Sequence, residues 1–195
     1  LNAEEVLQPI IYMGKMETVM VSLPGKINSV DELKSTAKDR PITVGIAGGL
    51  LPFLSREWLA GMGISNYTLI PYKYTTQGTV DLMGGRLDVA FSMFIDSAGL
   101  IKSGKIQVLT SSMSPEIAAK YNHKNIDFYV KPDPLAPKLL PVGTLLAVKK
   151  NTPKRIIDII KPVVAACNKD PAIIKRLADY DTAPVNLTTE EIEKT

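Results

Sequence analysis

Between residues 42 and 110 the chain alternates between short apolar runs and segments of helical spacing. No other feature constrains the fold as strongly. Residues 42–46 read as a strand, Ala47-Gly48-Gly49 as a turn, and 51–62 as a helix. Pro52 stands near the first helical position, where a missing N–H is tolerated. Residues 67–71 read as the next strand. Thr75 or Thr76 can cap a helix carrying Val80, Leu82 and Met83, which Gly84-Gly85 would end. Residues 87–94 read as a buried strand, Asp96 or Ser97 as the start of a helix closed by Gly104, and 106–110 as a strand. Such alternation implies parallel strands joined by right-handed helical crossovers.

The flanks are less regular. Residues 9–12 and 18–22 read as extended around Gly14. Ser29 with Glu32 three residues later is a capping box, followed by Val30, Leu33 and Ala37 at helical spacing until Pro41. Residues 115–121 read as helical and 126–130 as extended, before a linker punctuated by Pro132, Pro134, Pro137 and Pro141. A strand over 142–148 precedes an ending expected to be wholly helical. Thr152-Pro153 starts a helix with the stripe Ile156, Ile157, Ile160, Val163, Val164 and Cys167, kinked at Pro162. Asp170-Pro171 starts another, carrying Ile173, Ile174, Leu177 and Ala178. Thr188 and Glu191 form one more capping box, with fewer than two turns of chain to follow. A piece of a longer polypeptide is the expectation.

Composition excludes several classes. An apolar share of 45% with a net charge of +3 argues against disorder. No apolar stretch approaches the roughly 18 residues of a membrane span, so direct membrane insertion is not expected. Cys167 is the single cysteine, so no disulfide can form within the chain. With His123 the single histidine, a zinc site of the usual kind is not expected either. The basic residues are scattered, and Lys149, Lys150, Lys154 and Arg155 read as a solvated helix start, so no nucleic-acid partner is expected. His123 lies in a polar run that suits an exposed loop, and Cys167 on an apolar stripe that suits a buried, inert thiol. Neither the G-x-S-x-G, nor the H-E-x-x-H, nor the P-loop pattern occurs. Asp81 and Asp88 flank a helix end and a strand with nothing to force them together. No catalytic residue, metal or cofactor is expected.

Two loops read differently. Ala47-Gly48-Gly49-Leu50 and Tyr74-Thr75-Thr76-Gln77 each follow a strand and precede a helix. Such turns carry free backbone N–H groups at helix N-termini, at the carboxyl edge of the sheet where ligands bind. Together they could grip a carboxylate, or they could be ordinary turns and caps.

The segment Pro71-Tyr72-Lys73-Tyr74-Thr75-Thr76, followed by Asp81-Leu82-Met83-Gly84-Gly85-Arg86-Leu87-Asp88-Val89-Ala90-Phe91, resembles the solute receptors of tripartite tricarboxylate transporters, or Bug-type receptors. Their pattern is P-Y-K-G-[ST]-x-x-x-x-x-D-L-[LM]-G-G-[QR]-[VL]-D-[VL]-x-F, and it fits without a gap. Further family-like stretches are Ser29-Val30-Asp31-Glu32-Leu33, Ile101-Lys102-Ser103-Gly104-Lys105-Ile106 and Asn151-Thr152-Pro153. The resemblance implies an α/β fold of the type II periplasmic-binding-protein class. One lobe would be complete over residues 20–142, and 1–19 with 143–195 would supply hinge strands and part of the other. It implies capture of small carboxylates in the periplasm for a membrane permease, without cofactor or catalysis. The ligand contacts carried over are Gly48, Gly49, Leu50, Tyr74, Thr75, Thr76 and Ser92.

The departures bear on the ligand. Leu50, Leu51 and Pro52 stand where the family usually has Ser, and Phe53 where it has His. Tyr74 replaces a Gly, and Ser92-Met93 replace Asp-Asn. Fewer hydroxyl donors and more apolar bulk suggest an anion with an apolar or aromatic body, or a pocket that has drifted. A ligand-sensing domain of a transcription regulator, or an enzyme on the same fold, are the alternatives.

Overall fold

The computed structural model describes residues 3–112, 143–179 and 184–187. The expected helix at 115–121, the extended run at 126–130, the proline-rich linker, His123 and the Thr188 capping box lie outside them. The chain forms two compact units, Leu1–Met16 with Pro134–Thr195, and Glu17–Asp133.

In chain order the described elements begin with α1 (Ala3–Val6), β1 (Leu7–Lys15), β2 (Thr18–Ser22), α2 (Val30–Asp39), β3 (Ile42–Ala47) and α3 (Leu51–Gly61). Next come β4 (Tyr67–Tyr72), α4 (Thr75–Met83), β5 (Val89–Met93), α5 (Phe94–Lys102) and β6 (Gln107–Ser111). The last are β7 (Gly143–Lys149), α6 (Lys154–Cys167), α7 (Pro171–Asp179) and β8 (Pro184–Leu187).

The larger unit holds a five-stranded sheet in the order β4-β3-β5-β2-β6. Strand β3 pairs in parallel with β4 and with β5, as the alternation requires. Strand β2 runs antiparallel to both β5 and β6. From β3 the chain crosses to β4 on one side, and from β5 it leaves for β6 on the other. That reversal of winding opens a crevice at the carboxyl ends of β3 and β5.

Both faces of this sheet are covered. Side chains alternate along a strand, so Val19 and Val21 of β2 and Ala90 of β5 point one way. They pack with Leu82 of α4 and with Phe94 and Ile101 of α5. Phe91 points the other way and meets Trp58 of α3 edge-on, with ring centroids 5.5 Å apart. Gly45 of β3 has a packing reason: a Cβ there would stand 2.5 Å from Leu87 Cδ1.

Local chemistry sets the element ends, in places not as expected. Ser29 Oγ accepts the Glu32 N–H at 3.1 Å, while the Glu32 carboxylate reaches back to the Asn28 N–H at 2.8 Å rather than to Ser29. Neither Thr75 nor Thr76 caps α4; the N-cap is Tyr74, with no side-chain cap bond. Helix α4 ends as the Gly84-Gly85 pair suggests. Gly85 adopts φ +73°, and the Arg86 N–H returns to the Asp81 carbonyl at 3.0 Å. Strand β5 is shorter than 87–94, because Asp88 turns into a buried ion network and Phe94 already opens α5, its N–H bonded to the Glu17 carbonyl at 2.7 Å. Hence α5 starts before Asp96 or Ser97.

The smaller unit is a three-stranded sheet in the order β7-β1-β8, with β1 antiparallel to both neighbours. Strand β8 corrects the expected all-helical ending. Helix α6 runs through Pro162 and packs on β1 around Ile10, Ile11 and Ile157. The expected apolar stripe is wide, and only one border of it is covered. Ile157 and Val164 lie on that border, whereas Ile156, Val163 and Cys167 lie on the other. Cys167 is therefore exposed rather than buried. Helix α7 starts as Asp170-Pro171 suggests, with Asp170 Oδ1 accepting the Ala172 N–H at 2.7 Å.

Candidate functional site

Because β3, β4 and β5 are parallel, their three carboxyl ends fall on one edge of the sheet. A hollow of about 390 Å³ opens there. Its walls come from three successive strand-to-helix junctions. The β3–α3 junction gives Ala47 and Gly48, the β4–α4 junction gives Lys73, Tyr74, Thr75 and Thr76, and the first turn of α5 gives Asp96.

The junctions differ in what they offer an anion. In the first turn of α3, Pro52 has no N–H, and the Phe53 and Leu54 amides both return to the Leu50 carbonyl at 3.1 Å. The α4 turn is richer. The Gln77 amide bonds back to the Tyr74 carbonyl at 3.1 Å, so Thr75 and Thr76 precede the first intrahelical bond. Their amides and hydroxyls stand at the positive end of the helix dipole. The Lys73 ammonium lies 5.3 Å from the centre of the Tyr74 ring, which holds it beside the same turn.

Of the seven contacts expected from sequence, Gly48, Tyr74, Thr75 and Thr76 line one hollow. Gly49 and Leu50 stand next along the same loop without lining it. Gly49 turns the chain at φ +78°, a conformation that favours glycine, and Leu50 is the N-cap of α3. Ser92 is fully buried. Its hydroxyl accepts from Ser97 Oγ at 2.7 Å and donates to the Met93 carbonyl at 2.9 Å, pinning the β5–α5 corner.

The hollow also takes in Ala47, which opens the first of the two expected loops, and Lys73 and Asp96, which lie outside both. Lys73 belongs to the family-like segment, one residue before the Tyr74-Thr75-Thr76-Gln77 loop. In the sequence, Asp96 reads as the start of a helix. Placing the helix start at Phe94 moves it to the third helical position, where a side chain at the sheet edge faces the hollow.

Other charged residues of the motif serve the fold. Asp88 sits at the opposite, amino edge of the sheet. It accepts both Arg40 guanidinium nitrogens at 2.8 Å, the Thr43 N–H at 2.8 Å, and an ion pair from Lys26 at 3.1 Å. Burial pushes its carboxyl upward, but Arg40, the Thr43 amide and Lys26 outweigh that and hold it well below the usual carboxylate range. Asp81 accepts the Tyr72 phenol at 2.7 Å and the Arg86 Nε at 3.0 Å. Burial and the Asp81 contact push the Tyr72 phenol up to about 12, and Arg86 holds Asp81 below its ordinary value. Among the described residues, no three His, Cys, Asp or Glu side chains are grouped to hold a metal, and no helix is long and apolar enough to cross a membrane.

Comparisons with known proteins agree with this architecture. A curated relative from Agrobacterium vitis, the UPF0065 protein in the TAR-I ttuE-ttuC' intergenic region, is 27% identical over 145 residues, 74% of this chain and 41% of that one. R. palustris Rpa4515, solved with adipate, aligns with a TM-score of 0.76 and 17% identity, over 100% of this chain and 65% of that one. MatC from Rhodopseudomonas palustris, with bound malate, aligns with a TM-score of 0.70 and 16% identity, over 91% of this chain and 60% of that one. The chain thus spans less than two thirds of each, and it shares the fold of the two structures. The model of the tripartite tricarboxylate transporter family receptor matches residues 1–195, and the chain belongs to that family.

Proposed function

We propose that this chain is part of a solute receptor that captures small carboxylates in the periplasm and delivers them to a tripartite tricarboxylate-type membrane permease. It works by binding, not by catalysis. The observation that carries the reading is the hollow at the carboxyl edge, where Lys73 meets the uncapped first turn of α4 with its two threonines. A carboxylate needs backbone and hydroxyl donors and a cation, and that junction supplies all three. The family and the carboxylates held by Rpa4515 and MatC support the same ligand class. The Tyr74 ring, 56% exposed beside the hollow, supports a ligand with an apolar body.

The test is a titration of the chain with adipate and malate, followed by its backbone amide NMR signals. Shifts confined to Gly48, Thr75, Thr76 and their neighbours are the expected result. No shift in a folded chain overturns the reading.

A further inference from the structure

The hollow carries charges of both signs. Lys73 enters from the end of β4, and Asp96 from the first turn of α5. The two do not pair with each other, and Asp96 makes no ion pair or hydrogen bond among the described residues. This sets it apart from Asp81 and Asp88, each of which has a cation of its own. A carboxylate at a helix N-terminus interacts well with the dipole, but among the described residues nothing consumes its acceptor capacity. A simple dicarboxylate bound through Lys73 and α4 would bring its second carboxylate toward a like charge. A ligand with an ammonium at its far end would meet an opposite one.

From this juxtaposition we infer that the ligand is amphoteric, a carboxylic acid that also bears a protonated amine, with Lys73 and the α4 turn taking the carboxylate and Asp96 the ammonium. The inference rests on the carboxylate reading above and narrows it. Charges about 5 Å apart at an effective dielectric of about 50 change affinity by roughly ten-fold per interaction. Changing the distal group from carboxylate to ammonium is therefore worth ten-fold or more. The volume of about 390 Å³ is within the range of small-molecule sites.

Adipate and 6-aminohexanoate have the same carbon chain and differ in that distal group, so they are the probes. Each is titrated into the chain, into Asp96→Asn and into Lys73→Met, by calorimetry or amide shifts. Asp96 is exposed, so its variant is expected to fold, and the amide spectrum checks this. The expected result is that 6-aminohexanoate binds at least about ten-fold tighter than adipate. The preference vanishes in Asp96→Asn, and Lys73→Met weakens both ligands. Adipate binding as tightly as 6-aminohexanoate, or a preference that survives Asp96→Asn, overturns the inference and leaves the carboxylate receptor standing. Binding of neither acid to a folded chain removes both.

Discussion

The two edges of the five-stranded sheet use charge in opposite ways. At the amino edge, Asp88 is 1% exposed and its acceptors are taken by Arg40, Lys26 and the backbone and hydroxyl of Thr43. At the carboxyl edge, Lys73 and Asp96 are exposed around a hollow and leave each other unpaired. One edge joins Arg40 after α2, the start of β3 and the approach to β5 into a fixed unit. The other keeps its donors and charges in reach of solvent, where a ligand can compete for them. The difference teaches that an aspartate in a family motif need not belong to the binding chemistry. A buried carboxylate with every acceptor filled has nothing left for a ligand.

Substitutions at the two edges should therefore separate stability from affinity. The largest effect is expected from Asp88→Asn, which leaves Arg40, Lys26 and the Thr43 amide without their anion. Breaking a buried pair of this kind costs about 3 kcal/mol, read as a lower midpoint in urea unfolding, with carboxylate affinity unchanged in the fraction that is folded. The same network gives a pH dependence of known sign. An unfolded aspartate titrates at about 4, and folded Asp88 lies well below that. Its contribution is complete above about pH 4 and is lost as the pH falls below that value. Acidification from pH 5 to 3 should destabilise the native chain more than Asp88→Asn.

Lys73→Met should do the reverse. A loss of about ten-fold in carboxylate affinity is expected, with a urea midpoint close to that of the native chain, since Lys73 is exposed. A large loss of stability would mean that the carboxyl edge is also structural. Gly49→Ala probes the turn itself. The φ of +78° costs a side chain about 1 kcal/mol, whereas Gly48→Ala, where an added Cβ meets nothing within 4 Å, should leave the thermal midpoint nearly unchanged. Asp81→Asn sharpens the contrast on the stability side. Its exposed partner Arg86 makes a weak anchor, so the main result should be a Tyr72 phenol that titrates below about 12, seen by NMR of the tyrosine ring.

The two units differ in how much of them could be read in advance. In the larger one the period of the apolar residues, the glycines after α4 and α5, and Ser29 each state a local rule, and the elements follow it with shifts of a residue or two. The smaller unit depends on which neighbours cover a face. The stripe of α6 has the right period but does not say that Ile157 would be covered and Val163 left 58% exposed, or that Cys167 would face outward. Strand β8 is held by pairing with β1, a partner about 170 residues away, and its four residues carry too short a pattern to announce a strand.

At the site, four of seven expected residues meet in the hollow because loop identity is local: a strand, a short polar turn and a helix start put Gly48 and Tyr74 to Thr76 at one edge. By itself the sequence determined the alternating elements, the parallel pairing of β3 with β4 and β5 though not the antiparallel β2 between β5 and β6, and the likeness to the receptor family, since periodicity, capping and motif spacing act over a few residues. Tertiary structure decided that Ser92 closes a corner instead of lining the hollow, that Asp88 is consumed by Arg40 and Lys26, and that Asp96 joins Lys73 across the carboxyl edge. Those outcomes turn on which side chains from distant segments arrive at the same place, and that is set by sheet order and packing rather than by any local pattern.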